Sequence, residues 1–406
     1  RGLGDVYKRQ TYMNILYQTC GKLNSTSGGT ERTTITMAEA LAQLYGVRCF
    51  SIYERIADTP KENCIVAEFQ WSAQRDAEIN KKALRKIIVE NDIDFVIIQG
   101  AFIHVSRFKT AAEGTKCKII FAHHFEPRWE LVFGHFGSLI HYRPKSVIDF
   151  MRWMKWIVTY PRTAMNREKV LSAQYRAAYE CAHRVVLLSK GFIKPYSEFA
   201  KLQDTSKFTI IPNGLSFNLS AHYEDLTKHK VVLIVSRLDE TQKRLSLALR
   251  IWKKVKQNPV ADGWVMKIVG HGGDYELCEN IIKNEDIPAV TLEGRQDPIP
   301  YYKEASIFMM TSRSEAWGLT LTEAQQMGVV PIAFDTYASL RDIITDGVDG
   351  EIIAEGDVDG YVRCVLNLMQ DDVTRQRMAR QAIASSQRFS QEKIAGMWKA
   401  LFDNLG

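Results

Sequence analysis

The stretch Ile307-Phe308-Met309-Met310-Thr311-Ser312-Arg313-Ser314-Glu315-Ala316-Trp317-Gly318-Leu319-Thr320-Leu321-Thr322-Glu323 passes from an apolar run, through a polar turn, into a helical pattern. Four consecutive apolar residues suit a strand covered on both faces, as in a parallel sheet. Gly318 can turn sharply where the chain enters the helix, which is expected to end near Gly328. The same order of strand, turn and helix recurs through the second half, at Val231–Val235, Val265–Val269, Ala289–Leu292 and Val329–Ala333. It recurs in the first half at Ile15–Tyr17, Phe95–Ile98, Lys118–Ala122 and Val185–Leu188, with helical Ile35–Tyr45 and Val170–Ala182 between them. Alternating strands and helices predict an α/β architecture with parallel sheets.

The 406 residues suggest two domains at roughly 100–200 residues each. The seam is expected at Ile211-Pro212-Asn213-Gly214, after which the chain is polar until Lys230. Gln391–Leu405 reads as a terminal amphipathic helix, with Ile394, Met397, Trp398, Leu401 and Phe402 on one face. Arg1–Thr11 reads unlike the opening of a domain, whereas Met13 runs directly into a first strand; residues 1–12 are therefore read as a non-native extension.

Net charge is +6, with 53 basic and 47 acidic residues. That balance suits an anionic ligand or membrane surface and does not mark a nucleic-acid binder. The seven cysteines are scattered and form no Cys-x-x-Cys pair, which predicts neither a disulfide framework nor a zinc site and favours a reducing, cytoplasmic setting. No apolar run approaches the ~18 residues of a membrane span.

Several segments carry chemistry. Gly28-Gly29-Thr30-Glu31-Arg32 follows the first strand, and its glycines allow a sharp turn and close backbone approach to an anion at the helix start. His123 and His124 end the strand Ile119–Ala122, where open α/β sheets place ligands. Arg237 follows the strand Val231–Val235, with Lys243 and Arg244 at the expected start of the next helix. A guanidinium fork and an ammonium make a diphosphate clamp. The turn Gly270-His271-Gly272-Gly273-Asp274 lacks the G-x-G-x-x-G spacing of a dinucleotide fingerprint and is read as a turn near the nucleotide. Leu319 and Thr320 can offer N–H groups to phosphate, Glu315 can reach a sugar ring, and Glu323 can accept from ribose hydroxyls. Carboxylates beside phosphate are unfavourable unless they bind hydroxyls, so the ligand should carry both. The bland alternatives are a plain strand–helix turn at Gly28-Gly29, structural histidines at 123 and 124, a solvated basic loop at Arg237–Arg244, and two solvated helix carboxylates at Glu315 and Glu323.

Together these residues resemble the retaining glycosyltransferases of family four (glycosyl transferases group 1), which have the GT-B fold. The motifs are Gly28-Gly29-Thr30-Glu31-Arg32, His124, Ile211–Gly214, Ser236-Arg237-Leu238 with Lys243, and the Glu-x7-Glu run from Glu315 to Glu323. The resemblance implies two doubly wound Rossmann-like domains facing a cleft: 13–212 on the acceptor side, 213–388 binding the nucleotide sugar, and 389–406 as a helix returning to the first. It implies that His124, Arg237, Lys243 and Glu315 are catalytic. Donor binding would fall to Gly28, Gly29, Arg237, Lys243, Arg295, Glu315, Gly318, Leu319, Thr320 and Glu323. Lys243 stands six residues after Arg237 where many members use five, so Arg244 is an alternative. No metal or other cofactor is implied. Asp92-Ile93-Asp94 directly precedes a strand and is read as its polar start.

The implied reaction moves a sugar from a nucleotide diphosphate, with uridine favoured as base, to an acceptor hydroxyl with retained configuration. A polysaccharide or glycolipid role is expected, with a glycan or lipid-linked acceptor and no nucleic-acid partner. His141–Lys169 interleaves seven basic residues with Tyr142, Trp153, Trp156 and Tyr160. Such a stretch suits an anionic membrane surface and a peripheral enzyme on its inner face; the alternative is a helix pair with aromatics in the core. Three rival readings remain at this level: a non-catalytic sugar-nucleotide binder, a nicotinamide-dependent oxidoreductase and a non-hydrolysing sugar-nucleotide epimerase.

Overall fold

The computed structural model describes residues 12–24, 28–55, 58–72, 77–132, 146–219 and 221–406. The expected extension at 1–12 lies outside them apart from Tyr12, as do residues 141–145 of the basic stretch; the side chains of 147–149, 152 and 156–165 are also undescribed.

The first sheet holds β1 (Asn14–Gly21), β2 (Arg48–Arg55), β3 (Ile65–Gln70), β4 (Phe95–Ile98), β5 (Lys118–His123), β6 (Arg184–Leu187) and β7 (Phe208–Ile210). Their order is β3-β2-β1-β4-β5-β6-β7, and every pairing is parallel. The second sheet holds β8 (Val231–Val235), β9 (Val265–Val269), β10 (Val290–Gly294), β11 (Ile307–Met310), β12 (Val330–Phe334) and β13 (Glu351–Ile353), in the order β10-β9-β8-β11-β12-β13. Again all pairs are parallel. This is the α/β, twice doubly wound GT-B architecture that the sequence predicts.

In each sheet the strand order reverses beside one central pair, β1 and β4 in the first and β8 and β11 in the second. Loops leaving the carboxyl ends of such a pair splay apart and leave a crevice. Gly28 and Gly29 follow β1, Arg237 follows β8, and Glu315 follows β11, so the topology brings the motif residues to these crevices.

Five helices matter for the site: α1 (Gly29–Tyr45), α2 (Val147–Cys181), α3 (Glu240–Lys243), α4 (Leu319–Gln326) and α5 (Gln391–Asp403). In place of the helix pair given as the alternative for the basic stretch, residues 147–169 belong to one 35-residue helix, α2, which continues through the predicted Val170–Ala182 segment. Helix α5 lays Ile394, Ala395, Trp398, Leu401 and Phe402 onto a core shared with Ile15, Tyr17, Ile35 and Leu41 of the first domain. Trp398 and Phe402 alone bury enough apolar surface to offset several kcal/mol of ordering entropy, at ~1.5–3 kcal/mol per large side chain. The chain therefore closes back across both domains. Leu215, just past the seam, donates its N–H to Phe389 O at 2.9 Å and strengthens that closure.

Candidate active site

The second-domain half of the cleft starts at the end of β8. Arg237 extends to solvent, with Nη2 donating to Asp239 Oδ2 at 3.0 Å and Gln242 Oε1 at 3.1 Å. Asp239 caps α3 by accepting from Gln242 N. Lys243 closes this one-turn helix, and Arg244 then breaks it with φ 50° before the helix Leu245–Val255 begins. The expectation that Lys243 and Arg244 open the next helix is thus corrected. The break aims the two cations apart. Arg244 donates Nε to Thr311 O at 2.6 Å and Nη2 to Ser312 O at 3.2 Å, and its guanidinium lies over Phe334. Lys243 instead turns into the cleft and pairs its ammonium with Glu315 Oε1. Arg244, committed to backbone carbonyls, is not the cation in the cleft.

The turn at Gly270 packs directly beneath this loop. Gly270 has φ 143°, and a Cβ there would fall 1.8 Å from Ser236 O, so only glycine fits. Leu238 N donates to His271 O at 3.2 Å, which ties the Arg237 loop to the same turn. Arg295 follows β10 and is exposed.

After β11, Ser314 and Glu315 are both buried, at 8% exposure each. Gly318 takes φ 86° and lets the chain enter α4. Leu319 and Thr320 are the first residues of α4, so their N–H groups have no intrahelical acceptor and suit an anion. Glu323 lies one turn further in and is fully buried. Both its oxygens are occupied: Tyr302 donates to Oε2 at 2.9 Å, and Arg32 of the first domain pairs with Oε1 at 2.6 Å.

The first-domain half faces these groups. Gly28 precedes α1 in an extended conformation, and a Cβ on Gly29 would come within 3.3 Å of Leu319 Cδ1. The glycine turn thus lies against the start of α4. Glu126 reaches across the cleft and accepts from the Ser314 hydroxyl. Burial pushes the Glu126 carboxyl up; the Ser314 bond opposes this, and nearby Glu315 adds to it.

The two histidines part company because successive strand residues point to opposite faces. His123 is buried in an aromatic cage of Phe102, Phe121, Phe125, Tyr175 and Tyr196, and burial pulls it down to about 3. His124 meets Gln99 Nε2 at 3.2 Å, and Gln99 Oε1 in turn accepts from Thr34 at 2.7 Å. Burial pulls His124 down to about 4, so it is neutral near pH 7. The donor in the Gln99–Nε2 contact is set by the imidazole tautomer, and Nδ1 is buried and unpartnered. His124 lines a small cavity together with Gln99, Asn213 and Gly214.

Sequence reasoning gave no role to Arg32, Glu126, Ser314 or Tyr302. Arg32 and Ser314 sit within stretches it quoted, but their partners lie 291 and 188 residues away. Tyr302 carries no sequence signal, because it reaches Glu323 from another helix. Asp92 and Asp94 both pair with Lys116, and Asp94 also accepts from Asn14 N, as the polar start of β4. Among the described residues no group of three His, Cys, Asp or Glu side chains is placed to hold a metal ion. Nor is any described helix long and apolar enough to cross a membrane.

Residues 219–385 match the family model of the glycosyl transferases group 1. The poly(glycerol-phosphate) alpha-glucosyltransferase of Bacillus subtilis is 27% identical over 42% of this chain, which spans only 25% of that protein. An uncharacterized glycosyltransferase of Haemophilus influenzae is 22% identical over 92% of this chain and 96% of its own length. The crystal structure of Anabaena Alr3699/HepE in complex with UDP and glucose superposes with a TM-score of 0.69 at 16% identity, covering 97% of this chain and 100% of that one. The likeness in fold spans both sheets, and the match to the glycosyl transferases group 1 falls on the half of the chain that carries Arg237, Lys243, Glu315 and Glu323.

Proposed function

We propose that the cleft transfers a sugar from a nucleotide diphosphate, with uridine as the favoured base, to an acceptor hydroxyl with retained configuration. The observation that carries this reading is the packing of Lys243, Glu315, the open N–H groups of α4 and Glu323 along one wall of the cleft. Carboxylates that bind hydroxyls alternate there with groups that bind phosphate.

In this reading Arg237, Lys243 and the Leu319 and Thr320 N–H groups hold the diphosphate. Glu323 takes the ribose hydroxyls and Glu315 the sugar hydroxyls. His124 donates to a sugar hydroxyl or phosphate oxygen. Gly28 and Gly29 bring backbone to the diphosphate from the opposite wall, and Arg295 lies beside the base. The bond from the anomeric carbon to the diphosphate oxygen breaks, and a bond to the acceptor oxygen forms on the same face. The acceptor proton passes to the departing phosphate oxygen. Charge on the leaving group is met by fixed cations and N–H dipoles, so the step needs no metal.

The acceptor reading is a glycan or lipid-linked hydroxyl in polysaccharide or glycolipid assembly. Two relatives support the class: a poly(glycerol-phosphate) glucosyltransferase and a structure holding UDP and glucose. Near the start of α2, Phe150, Met151 and Met154 are exposed, next to Lys155. Exposed apolar residues beside basic ones suit peripheral seating on an anionic membrane. Binding to anionic vesicles that falls with added salt is the expected result, and no binding at low salt would remove that part.

The test is turnover of UDP-glucose, UDP-galactose and UDP-N-acetylglucosamine with EDTA present, with the product anomer read by nuclear magnetic resonance. Release of UDP with an α-linked product is expected, and Lys243→Ala and Glu315→Ala should each lose roughly 10²–10³-fold in turnover. Near-normal turnover in both folded variants would sink the assignment.

A further inference from the structure

We infer that Arg32 is a third cation of the donor's diphosphate clamp, parked on Glu323 until the ribose takes that carboxylate. The inference rests on the donor-site reading above and adds a residue from the opposite domain.

Arg32 stands in the first turn of α1, directly after the glycine turn. Its side chain is 31% exposed and spans the cleft to Glu323, whose side chain is 1% exposed. One terminal nitrogen makes the 2.6 Å contact, while its Nε is buried with no partner. A guanidinium normally uses its fork on a planar anion, so this contact leaves donor capacity in the cleft unspent. The carboxylate's second oxygen already accepts from Tyr302.

The position decides what Arg32 meets next. Glu323 is four residues beyond Leu319, about 6 Å down the helix at 1.5 Å per residue. The Gly29 backbone lies against Leu319 at the top of that turn. Arg32 thus pairs with Glu323 at one end of this turn, while the glycine turn just before it touches Leu319 at the other.

Charge pairing points the same way. Lys243 is paired with Glu315, Arg237 with Asp239, and Arg32 with Glu323. A sugar nucleotide supplies both complements at once: hydroxyls for the carboxylates and phosphate oxygens for the cations. When a ribose hydroxyl donates to Glu323, Arg32 is displaced. A cation removed from a buried carboxylate needs another anion, because desolvated charge is costly when unpaired. The diphosphate, a turn away, is the anion that the ligand itself brings.

The test compares a nucleoside diphosphate with its nucleoside, which differ only in the phosphates. Wild type, Arg32→Gln and Arg32→Lys are titrated with UDP and with uridine by calorimetry and ligand-detected nuclear magnetic resonance. ADP with adenosine and GDP with guanosine serve as parallel pairs. The inference expects Arg32→Gln to weaken diphosphate binding at least tenfold while nucleoside binding stays equal or tightens, and Arg32→Lys to recover part of the loss. Unchanged or tighter diphosphate binding in Arg32→Gln would overturn it, leaving Arg32 as a plug alone. Equal weakening of both ligands would also overturn it, leaving a structural tie between domains. If wild type binds no diphosphate, the donor-site reading itself fails. Should Arg32→Gln not fold, Arg32→Lys decides alone: it keeps the charge but loses the fork, so unaltered diphosphate-to-nucleoside selectivity counts against the inference.

Discussion

Replacing Lys243 by Met separates the two jobs given to its ammonium. It neutralises Glu315, with the side chains 17% and 10% exposed respectively. Breaking a fully buried pair costs about 3–5 kcal/mol, chiefly because one charge is left unpaired. One side of this pair faces the cleft and retains some solvent, so about 1–2 kcal/mol is expected, a fall in Tm of a few degrees for a domain of this size. Glu315→Gln added to Lys243→Met removes the stranded charge and should restore most of that loss. For the donor the arithmetic differs. A charge-assisted bond to phosphate contributes roughly 1.5–3 kcal/mol, so UDP affinity should fall about 10- to 150-fold in Lys243→Met. The double variant should not recover it. Thermal unfolding and calorimetric titration on wild type, Lys243→Met, Glu315→Gln and the double variant complete the cycle. Stability that falls while UDP affinity stays within twofold of wild type would show the pair to be structural only, and would refute the reasoning.

Acid should destabilise the fold through two histidines. His123 and His124 are held at about 3 and about 4, below the ordinary 6.5. Their folded pKa values are depressed, so the unfolded chain binds the protons first. Their contribution is complete above pH 6.5 and is lost as pH falls towards 4, at up to ~2.7 kcal/mol per pH unit for two protons. Denaturant unfolding at pH 7 and pH 5 should show this slope, and His124→Gln should remove about half of it; an unchanged slope would contradict the burial argument. Gly270→Ala should disturb the Arg237 loop, since the new Cβ would strike Ser236 O. We expect a loss of several kcal/mol and weakened nucleotide binding, read by unfolding and titration. Trp398→Ala should cost about 3–5 kcal/mol, because Trp398 joins α5 to the core of the first domain. A change below 1 kcal/mol in urea unfolding would argue that α5 is only loosely seated.

The strands Phe95–Ile98, Val231–Val235, Val265–Val269 and Ile307–Met310 match their predicted bounds because central parallel strands are covered on both faces and read as unbroken apolar runs. β2 escaped notice because arginines begin and end it, and β3 because it is an edge strand carrying Glu68 and Gln70. β7 and β13 have three residues each, too few for any period to show. At the site, Lys243 and Glu315 were legible as chemistry, but their pairing was not. The helix break at Arg244 has no local signal either: its positive φ coexists with side-chain bonds to the carbonyls of Thr311 and Ser312, which are distant in sequence. The hidden part of the site is its cross-cleft wiring, Arg32 to Glu323 and Glu126 to Ser314. Those contacts join separate domains and exist only once both have folded.

The central claim is that this cleft wall binds a nucleotide diphosphate in one orientation. A crystal structure of the protein soaked or grown with UDP tests it directly. The account predicts the diphosphate over the N–H groups of Leu319 and Thr320, beside Lys243, with the ribose hydroxyls on Glu323 and Arg32 withdrawn from that carboxylate. UDP bound elsewhere, or bound in the cleft with the Lys243–Glu315 and Arg32–Glu323 pairs both intact, would contradict it.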